Sequence, residues 1–293
     1  MNPAENLAAD LATTKRTANG SAVSPRVKGK LTVQRFIVPY RVYGSGTDTL
    51  VFVNGVQQSM AMWHSFVRRF SSSYRIVLFD LPNQGAGRVI TGSYHLSLEE
   101  QVSILGAVID ATSSAEHLTL CSASWGGVIA MAYAVRHPQR LKSLILASMG
   151  TRANQRMIDM ISKGLQSAVT DPLEVAETLI EAIGRNLPAA MKQKIINQFQ
   201  HMGPQAFRAF LQHGSTVISA RELSKVVDVS KVQCKITLLH GEKDTMVDID
   251  DVKYLASQIP RSELRVIENV GHFLHLEKEE LLDVYEEILA SSR

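Results

Sequence analysis

The chain has 293 residues, of which 45% are hydrophobic and 20% are charged. This composition is typical of a globular protein with a full apolar core. The first 30 residues hold five basic and two acidic side chains, which accounts for the whole net charge of +3. The rest of the sequence is charge-balanced and offers no basic surface for a run of phosphates, so we expect no nucleic-acid partner.

Location and redox state follow from what the sequence lacks. No apolar run approaches the roughly 20 residues of a membrane-spanning helix. The first residues also lack the basic and apolar stretches of a secretory signal. We therefore expect no membrane span and a cytoplasmic location. Two cysteines, Cys121 and Cys234, are too few for a disulfide framework and are predicted to be core thiols in separate strands.

The order of apolar and amphipathic segments predicts an α/β fold. Residues 1–30 are rich in small polar side chains and are predicted to be a flexible leader, followed by a hairpin at 31–38 and 40–43. Buried strands are predicted at 49–53, 75–79, 118–122, 144–147, 235–240 and 263–267. Helices are predicted between and after them at 60–70, 98–111, 126–137, 249–257 and 278–291. This alternation predicts a mostly parallel sheet flanked by helices, occupying residues 31–150 and 231–293.

Residues 151–230 interrupt the alternation. They show helical patterns at 157–168, 172–185, 189–202 and 204–211 and no strand pattern. An all-helical block between two strands of a sheet is predicted to be a lid. An apolar stripe on its first helix is typical of packing against the core, although it could also face a substrate tunnel; it consists of Met157, Ile158, Met160 and Ile161.

The sharpest chemical motif is the segment Cys121-Ser-Ala-Ser-Trp-Gly-Gly127, where a predicted strand ends and a helix begins. A tight strand-turn-helix corner lifts a serine above the sheet and crowds the positions two before and two after it. Those positions hold the small residues Ser122 and Gly126. The motif therefore predicts Ser124 as a nucleophile, and the alternative is a serine that only caps the next helix.

A serine nucleophile needs a base, and at such a corner the acid and then the base follow later in the sequence. His272 lies in a glycine-preceded loop after the last predicted strand and is the predicted base. Asp244 follows the 235–240 strand and is the predicted acid, which would fix the imidazole tautomer and stabilise the imidazolium. The nearby carboxylates Glu242, Asp248 and Asp250 remain alternatives.

The tetrahedral intermediate of acyl transfer needs two backbone N–H donors for its oxyanion. One is predicted at Trp125, directly after the nucleophile. The other is predicted in the loop after the 49–53 strand, at Val56 or at Gln57. The preceding Asn54-Gly55 is not specific, since this dipeptide marks turns in general.

No cofactor or metal site is predicted. The segment Gly85-Ala86-Gly87 lacks the further glycine and lysine of phosphate-binding loops and is predicted to be a sharp turn. His275 lies three residues after His272 and could suggest half of a metal site. We expect no metal there, because no further ligands follow at suitable spacing.

With these residues in place, the sequence resembles the α/β-hydrolase superfamily over residues 31–292. Within it, the sequence is similar to the 3-hydroxyacyl-transfer group, which includes rhamnolipid-precursor synthase (the A subunit of rhamnosyltransferase) and 3-hydroxyacyl-acyl-carrier-protein transacylase or thioesterase. The matching stretches are 53–55, 77–82, 122–127 and 271–277. Gln57 and Gln58 depart from the small residues expected in the oxyanion loop, which leaves the acceptor and the acyl length open.

The resemblance implies transfer of a 3-hydroxyacyl group from a thioester to a second hydroxyacyl group, to coenzyme A or to water. The implied partners are a small acyl substrate and its carrier, acyl carrier protein or coenzyme A. Two other interpretations remain open. One is a general carboxylic-ester hydrolase with the same triad, and the other is a scaffold that binds a ligand or partner without turnover.

Overall fold

The computed structural model describes residues 23–166, 171–220, 223 and 226–291. Within these ranges nine strands form one sheet. They are β1 (Val27–Val33), β2 (Phe36–Tyr43), β3 (Thr49–Val53), β4 (Arg75–Phe79), β5 (Arg88–Val89), β6 (Leu118–Ala123), β7 (Leu141–Ala147), β8 (Lys235–Gly241) and β9 (Ser262–Ile267). The helices are α1 (His64–Phe70), α2 (Leu98–Thr112), α3 (Trp125–Arg136), α4 (Gln155–Gln166), α5 (Pro172–Ile183), α6 (Ala189–Gln200), α7 (Pro204–Ala220), α8 (Ile249–Ser257), α9 (Leu274–Glu277) and α10 (Leu281–Ala290).

The sheet is mostly parallel, as the sequence predicts. Its strand order is β1-β2-β4-β3-β6-β7-β8-β9, and β5 pairs with β2. All neighbours from β4 through β9 are parallel, whereas β2 is antiparallel to β1, β4 and β5. The carboxyl ends of the parallel strands therefore meet at one edge of the sheet, where the loops that carry the candidate site residues begin.

Both faces of the sheet are buried, because successive side chains of a strand point to opposite faces. Val51 and Val53 of β3 belong to one apolar cluster, together with residues of α2, α3 and α8. Leu50 and Phe52 of the same strand belong to a second cluster with α1 and α10. Helices therefore cover both sides of the sheet, which explains why its strands have continuous apolar sequences.

The opening hairpin differs from its predicted position. β1 begins at Val27, before residue 31, because it pairs with β2 over its full length, from Val27 opposite Val42 to Val33 opposite Phe36. The backbone reverses at Gln34, whose φ of 52° is left-handed, rather than at Pro39, which lies inside β2. Residues 1–22 of the predicted leader lie outside the described residues.

Four helices, α4 to α7, lie between β7 and β8, the position of the predicted lid. We call them the helical insertion. Its last helix extends to Ala220, beyond the predicted end at residue 211. Gly214 lies inside this helix, and a Cβ atom there would be 2.8 Å from the Ile161 side chain, so glycine allows α4 and α7 to pack closely. In the described part of the protein, every helix is too short or too polar to span a membrane.

Both cysteines are buried free thiols, as predicted. Cys121 lies in β6, and Cys234 directly precedes β8 rather than lying within a strand. Burial raises the pKa of the Cys234 thiol to about 11 and the pKa of Cys121 still further. Both thiols are therefore protonated at neutral pH and contribute as apolar packing groups.

Replacement of Phe66 by alanine is expected to destabilise the fold strongly. Phe66 is fully buried, and its ring packs against the rings of Phe52, Trp63 and Tyr285 at centroid distances of 5.3, 5.2 and 4.8 Å. The cavity left by Phe66→Ala should lower the free energy of unfolding by about 3–5 kcal/mol, measured by urea denaturation. The control Tyr254→Ala, at a ring that is 58% exposed, should change it by less than about 0.5 kcal/mol. Equal effects of the two substitutions would contradict this account of the core.

Candidate active site

Ser124 lies in the turn between β6 and α3. Its φ of 51° and ψ of −125° are unusual for a residue with a side chain. Its N–H donates to the Ala147 carbonyl at 2.8 Å, and its own carbonyl accepts from the Gly127 N–H at 2.8 Å. The surrounding structure therefore holds the strained backbone at the sharp corner that the sequence predicts, at the carboxyl end of β6.

The turn forms only because its flanking residues are small. A Cβ atom on Gly126 would lie 2.5 Å from the Val53 carbonyl oxygen and 2.7 Å from that of Asn54, both of which are backbone atoms. Glycine is therefore the residue that fits at this position. Ser122, on the other side of the turn, is fully buried at the end of β6.

His272 and Asp244 come together from two loops at the same edge of the sheet. The His272 Nδ1 atom lies 2.8 Å from Asp244 Oδ2, with His272 after β9 and Asp244 after β8. The other carboxylate oxygen of Asp244 accepts the N–H groups of Met246 and Val247 at 2.8 and 3.2 Å. The carboxylate is thus fixed by its own loop, and the Nε2 atom of His272 is left for other partners.

The other carboxylates considered as the acid have different partners. Glu242 accepts the N–H of Asn269 at 2.9 Å. Asp248 accepts the side-chain amide of Asn154 at 3.1 Å, and Asp250 pairs with Lys253 at 3.0 Å. Among the four candidates, the geometry selects Asp244 as the partner of His272.

Glu277, which the sequence analysis assigned no role, holds the loop that carries His272. Its two carboxylate oxygens accept the N–H groups on either side of the histidine, from Gly271 at 2.7 Å and from Phe273 at 3.0 Å. Asn186 of the helical insertion also donates to this carboxylate, at 3.2 Å. A carboxylate five residues after the histidine is the sequence signal that could have revealed this contact.

Ser148 is a second residue that the sequence analysis did not single out. It directly follows β7, has a left-handed φ of 54°, and donates its hydroxyl to the His272 carbonyl at 2.5 Å. Its position at the carboxyl end of a parallel strand was the available signal. Ser148 and Glu277 together fix the backbone of His272 from three sides.

Electrostatics favour the charged form of His272. Burial alone would lower the pKa of the imidazole, but the charge and hydrogen bond of Asp244, with a smaller effect of Glu277, raise it above the usual value. In turn, burial alone would raise the pKa of Asp244, but the charge and hydrogen bond of His272 bring it below the usual value. Asp244 is therefore ionised at neutral pH, and this pair stabilises an imidazolium.

The three predicted oxyanion residues lie around the same corner. Val56 and Trp125 line a cavity together with Ser124, and Trp125 is the first residue of α3, where backbone N–H groups lack helical acceptors. Gln57 has a left-handed φ of 57°, and its carbonyl and side-chain oxygens both accept from Gln198 of the helical insertion. The oxyanion loop is thus tied to the insertion through Gln57.

Two apolar cavities lie between the core and the helical insertion and meet at Ser124 and His272. One, the α4 cavity, has a volume of about 210 Å³ and is lined by Met157, Met160 and Ile161. The other, the α6 cavity, has a volume of about 260 Å³ and is lined by Met191, Ile195 and Phe199. Both share the lining residues Val56, Leu179, Ile183 and Phe210. Three of the four stripe residues of the first insertion helix thus form a cavity wall.

The residues that could suggest a cofactor or metal have other surroundings. His275 is buried and stacks on Trp63 at a centroid distance of 4.5 Å, and burial lowers its pKa to about 3. The Gly85 segment folds against Asp80, whose carboxylate accepts the N–H groups of Ala86 and Met60. Within the described ranges, no group of three or more potential metal ligands is found.

A parallel sheet with a serine at the corner after β6 and a paired histidine and aspartate on later loops defines an α/β protein of hydrolase architecture. The family of the alpha/beta hydrolase fold matches residues 48–279, more than half of the sequence, and the protein therefore belongs to this family. Its relatives include enzymes of both acyl transfer and hydrolysis. This protein is therefore an enzyme of the alpha/beta hydrolase family rather than a scaffold that binds without turnover.

Two relatives illustrate this range. The protein is 25% identical to an (R)-3-hydroxydecanoyl-ACP:CoA transacylase of Pseudomonas putida over 247 residues, covering 82% of the relative and 81% of this chain. It is also 25% identical to a 2-hydroxy-6-oxononadienedioate/2-hydroxy-6-oxononatrienedioate hydrolase of Paraburkholderia phymatum over 257 residues, covering 87% of the relative and 83% of this chain. Among solved structures, a thermophilic esterase from Thermogutta terrifontis has the same fold, with a TM-score of 0.74 at 21% identity; the match covers 99% of the esterase and 91% of this chain.

The electrostatic account of His272 predicts a specific histidine titration. The titratable groups that interact electrostatically with its imidazole are Asp244, Glu277, His240 and His275, and the two carboxylates are the ones that raise its pKa. We expect an NMR titration to give His272 a pKa above the ordinary value of about 6.5. Asp244→Asn should lower that pKa, and Glu277→Gln should lower it by a smaller amount.

Glu279→Gln is the matched control, since this exposed carboxylate lies two residues beyond Glu277. It should leave the His272 titration unchanged. An unchanged pKa in Asp244→Asn would show that the carboxylate does not stabilise the imidazolium.

Proposed function

We propose that this enzyme transfers acyl groups from 3-hydroxyacyl thioesters through a covalent acyl-enzyme on Ser124, with His272 as the general base and Asp244 as its partner. The observation that carries the proposal is the meeting of two apolar cavities at Ser124 and His272. Similarity to a 3-hydroxydecanoyl transacylase supports the thioester substrate. The proposal places the enzyme in the cytoplasm, the compartment expected from the sequence.

The first half of the reaction forms the acyl-enzyme. The Ser124 hydroxyl oxygen attacks the thioester carbonyl carbon while His272 Nε2 takes the hydroxyl proton. The oxyanion is stabilised by the N–H groups of Trp125 and of Val56 or Gln57. The intermediate then collapses, the carbon–sulfur bond breaks, and the leaving thiolate takes the proton from His272.

The second half releases the acyl group to an acceptor. An acceptor hydroxyl, thiol or water gives its proton to His272 and attacks the acyl carbon, and the proton returns to Ser124 as the ester bond breaks. If the acyl tail occupies one apolar cavity, the other cavity is free for an acceptor or for the arm of the carrier that holds the thioester. The α6 cavity suits the arm that carries the thioester on acyl carrier protein or coenzyme A, because the exposed side chains of Lys194 and Gln198 contribute to its wall.

The helical insertion supports acyl transfer to an organic acceptor over hydrolysis. Its side chains line both cavities, so we propose that it acts as a lid that keeps water from the acyl-enzyme. Water as the acceptor is the second candidate, and it is favoured by the similarity to a hydrolase. A general carboxylic-ester hydrolase would use the same triad on a short ester.

The test is intact-protein mass spectrometry after incubation with a 3-hydroxydecanoyl thioester, with a short p-nitrophenyl ester in parallel. We expect the mass of the wild-type protein to increase by that of one hydroxyacyl group. The identity of the released product then shows which acceptor is used. Turnover of the short ester without a thioester adduct would favour the general esterase. If no adduct forms and neither substrate is turned over, the proposal is refuted.

Ser124→Ala should abolish the adduct and lower kcat/KM by at least about a thousandfold, with an unchanged circular dichroism spectrum. Asp244→Asn should lower kcat/KM by about a hundredfold or more, because the imidazole loses the partner that fixes its tautomer. Ser72→Ala, at an exposed serine that is far in the sequence from the turn carrying Ser124, is the control and should retain full activity. A Ser124→Ala protein that keeps wild-type activity would contradict the mechanism.

A further inference from the structure

A third, smaller cavity of about 50 Å³ adjoins the site at Val56, Trp125 and Phe210. We call it the polar cavity, because polar side chains form much of its wall, among them Gln84, Gln101 and His213. Its surroundings differ from those of the two apolar cavities that meet at Ser124. A substrate held in the α4 cavity would thus have a further group of polar side chains next to it, beyond Ser124 and His272.

His213 of α7 connects the polar cavity with the α4 cavity, since it lines both. Its ring packs edge-to-face on the indole of Trp125 at a centroid distance of 4.5 Å. Burial, and to a lesser extent the nearby His95, lower the pKa of His213 to about 4. The imidazole is therefore neutral at physiological pH, with one nitrogen that donates and one that accepts.

The Nε2 atom of His213 is buried and has no hydrogen-bond partner among the described residues. Gln84 shows the same feature within the described ranges. Its amide nitrogen donates to the Gly55 carbonyl at 3.2 Å, but its buried Oε1 atom has no partner. Leaving such atoms unpaired is costly, so a pair of them on one cavity wall indicates a ligand group that completes their hydrogen bonds.

The side chain of Gln101, in the same wall, has hydrogen-bond partners for both polar atoms of its amide. Its Oε1 atom accepts from the Trp125 indole N–H at 2.9 Å, and its amide nitrogen donates to the Leu96 carbonyl at 3.1 Å. The indole of Trp125 is thus fixed by Gln101 on one side and packs against His213 on the other. Because Trp125 and His213 line both the polar cavity and the α4 cavity, the polar cavity adjoins the part of the α4 cavity that Ser124 lines.

We propose that the polar cavity binds the hydroxyl group of the acyl substrate, with His213 and Gln84 as its specificity-determining partners. An alcohol both donates and accepts hydrogen bonds. It can therefore donate to Gln84 Oε1 and accept from His213 Nε2, when the neutral imidazole carries its proton on Nε2. A hydroxyl on the third carbon is two carbon–carbon bonds from the carbonyl carbon, so it stays near the part of the α4 cavity that Ser124, Trp125 and His213 line. The inference rests on the proposed acyl transfer, and it assigns the residues that distinguish hydroxyacyl from plain acyl substrates.

The test compares kcat/KM for a 3-hydroxydecanoyl thioester with kcat/KM for the decanoyl thioester. The wild-type enzyme should prefer the hydroxylated substrate, because the plain acyl group leaves the polar atoms unpaired. His213→Phe keeps a planar ring on Trp125 and removes both nitrogens, and it should lower the ratio of the two values about tenfold or more. His213→Gln keeps an amide donor and should retain part of the preference.

His201→Phe is the matched control, since His201 is an exposed histidine that follows α6 and bonds only within its own helix end. It should leave the ratio unchanged. A wild-type ratio near one, or an unchanged ratio in a folded His213→Phe protein, would overturn the inference.

Binding separates this inference from the proposed chemistry. In the Ser124→Ala background, calorimetry should show that 3-hydroxydecanoic acid binds more tightly than decanoic acid, and that His213→Phe removes the difference. If no acyl adduct forms on Ser124 but this difference is found, acyl transfer fails and the hydroxyl site stands. If the adduct forms but the binding difference is absent, the hydroxyl site fails and acyl transfer stands.

Discussion

The close approach of β3 to the turn after β6 is the constraint on which the site depends. Ser124 has a left-handed backbone, and the turn can hold it only because Gly126 lies against the carbonyl groups that end β3. The same end of β3 begins the loop with Val56, so one contact sets the nucleophile and the oxyanion loop relative to each other. Any larger residue in place of Gly126 would push these two parts of the site away from each other.

The second constraint on the site is the loop that carries His272, whose backbone is fixed by the side chains of other residues. The loop that carries His272 has no regular secondary structure, yet Glu277 accepts N–H groups on both sides of the histidine and Ser148 donates to its carbonyl. Asp244 then fixes the ring through Nδ1. Each of these groups follows or faces the carboxyl end of a strand in the parallel sheet, which is why loops distant in sequence converge there.

The helical insertion touches the site loops through polar contacts rather than through packing alone. Asn186 donates to Glu277, Gln198 donates to Gln57, and Thr245 donates to the Ala182 carbonyl. A change in the position of the insertion would therefore be transmitted to the histidine loop, the oxyanion loop and the aspartate loop. The walls of both apolar cavities also belong partly to the insertion, so its position sets the space available to a substrate.

From the sequence alone we could predict the α/β class, the parallel strands, the serine corner and the candidates Ser124, His272 and Asp244. These features could be predicted because strand burial, tight turns and the order of residues produce local patterns in the sequence. The predicted position of the opening hairpin was wrong, because β1 pairs with β2 from Val27 onward and the backbone reverses at Gln34. The predicted end of α7 at residue 211 was also too early, because the helix continues through Gly214, where the missing side chain allows close packing against α4.

The folded structure was needed to establish which carboxylate faces His272, that Glu277 and Ser148 hold its loop, and that three cavities meet at or adjoin the site. The four candidate carboxylates, Glu242, Asp244, Asp248 and Asp250, lie close together in the sequence, and nothing local distinguishes them. The distinction arises from a contact between two residues that are 28 positions apart. Such contacts depend on how the strands are ordered in the sheet, and a single sequence carries no local pattern for that order.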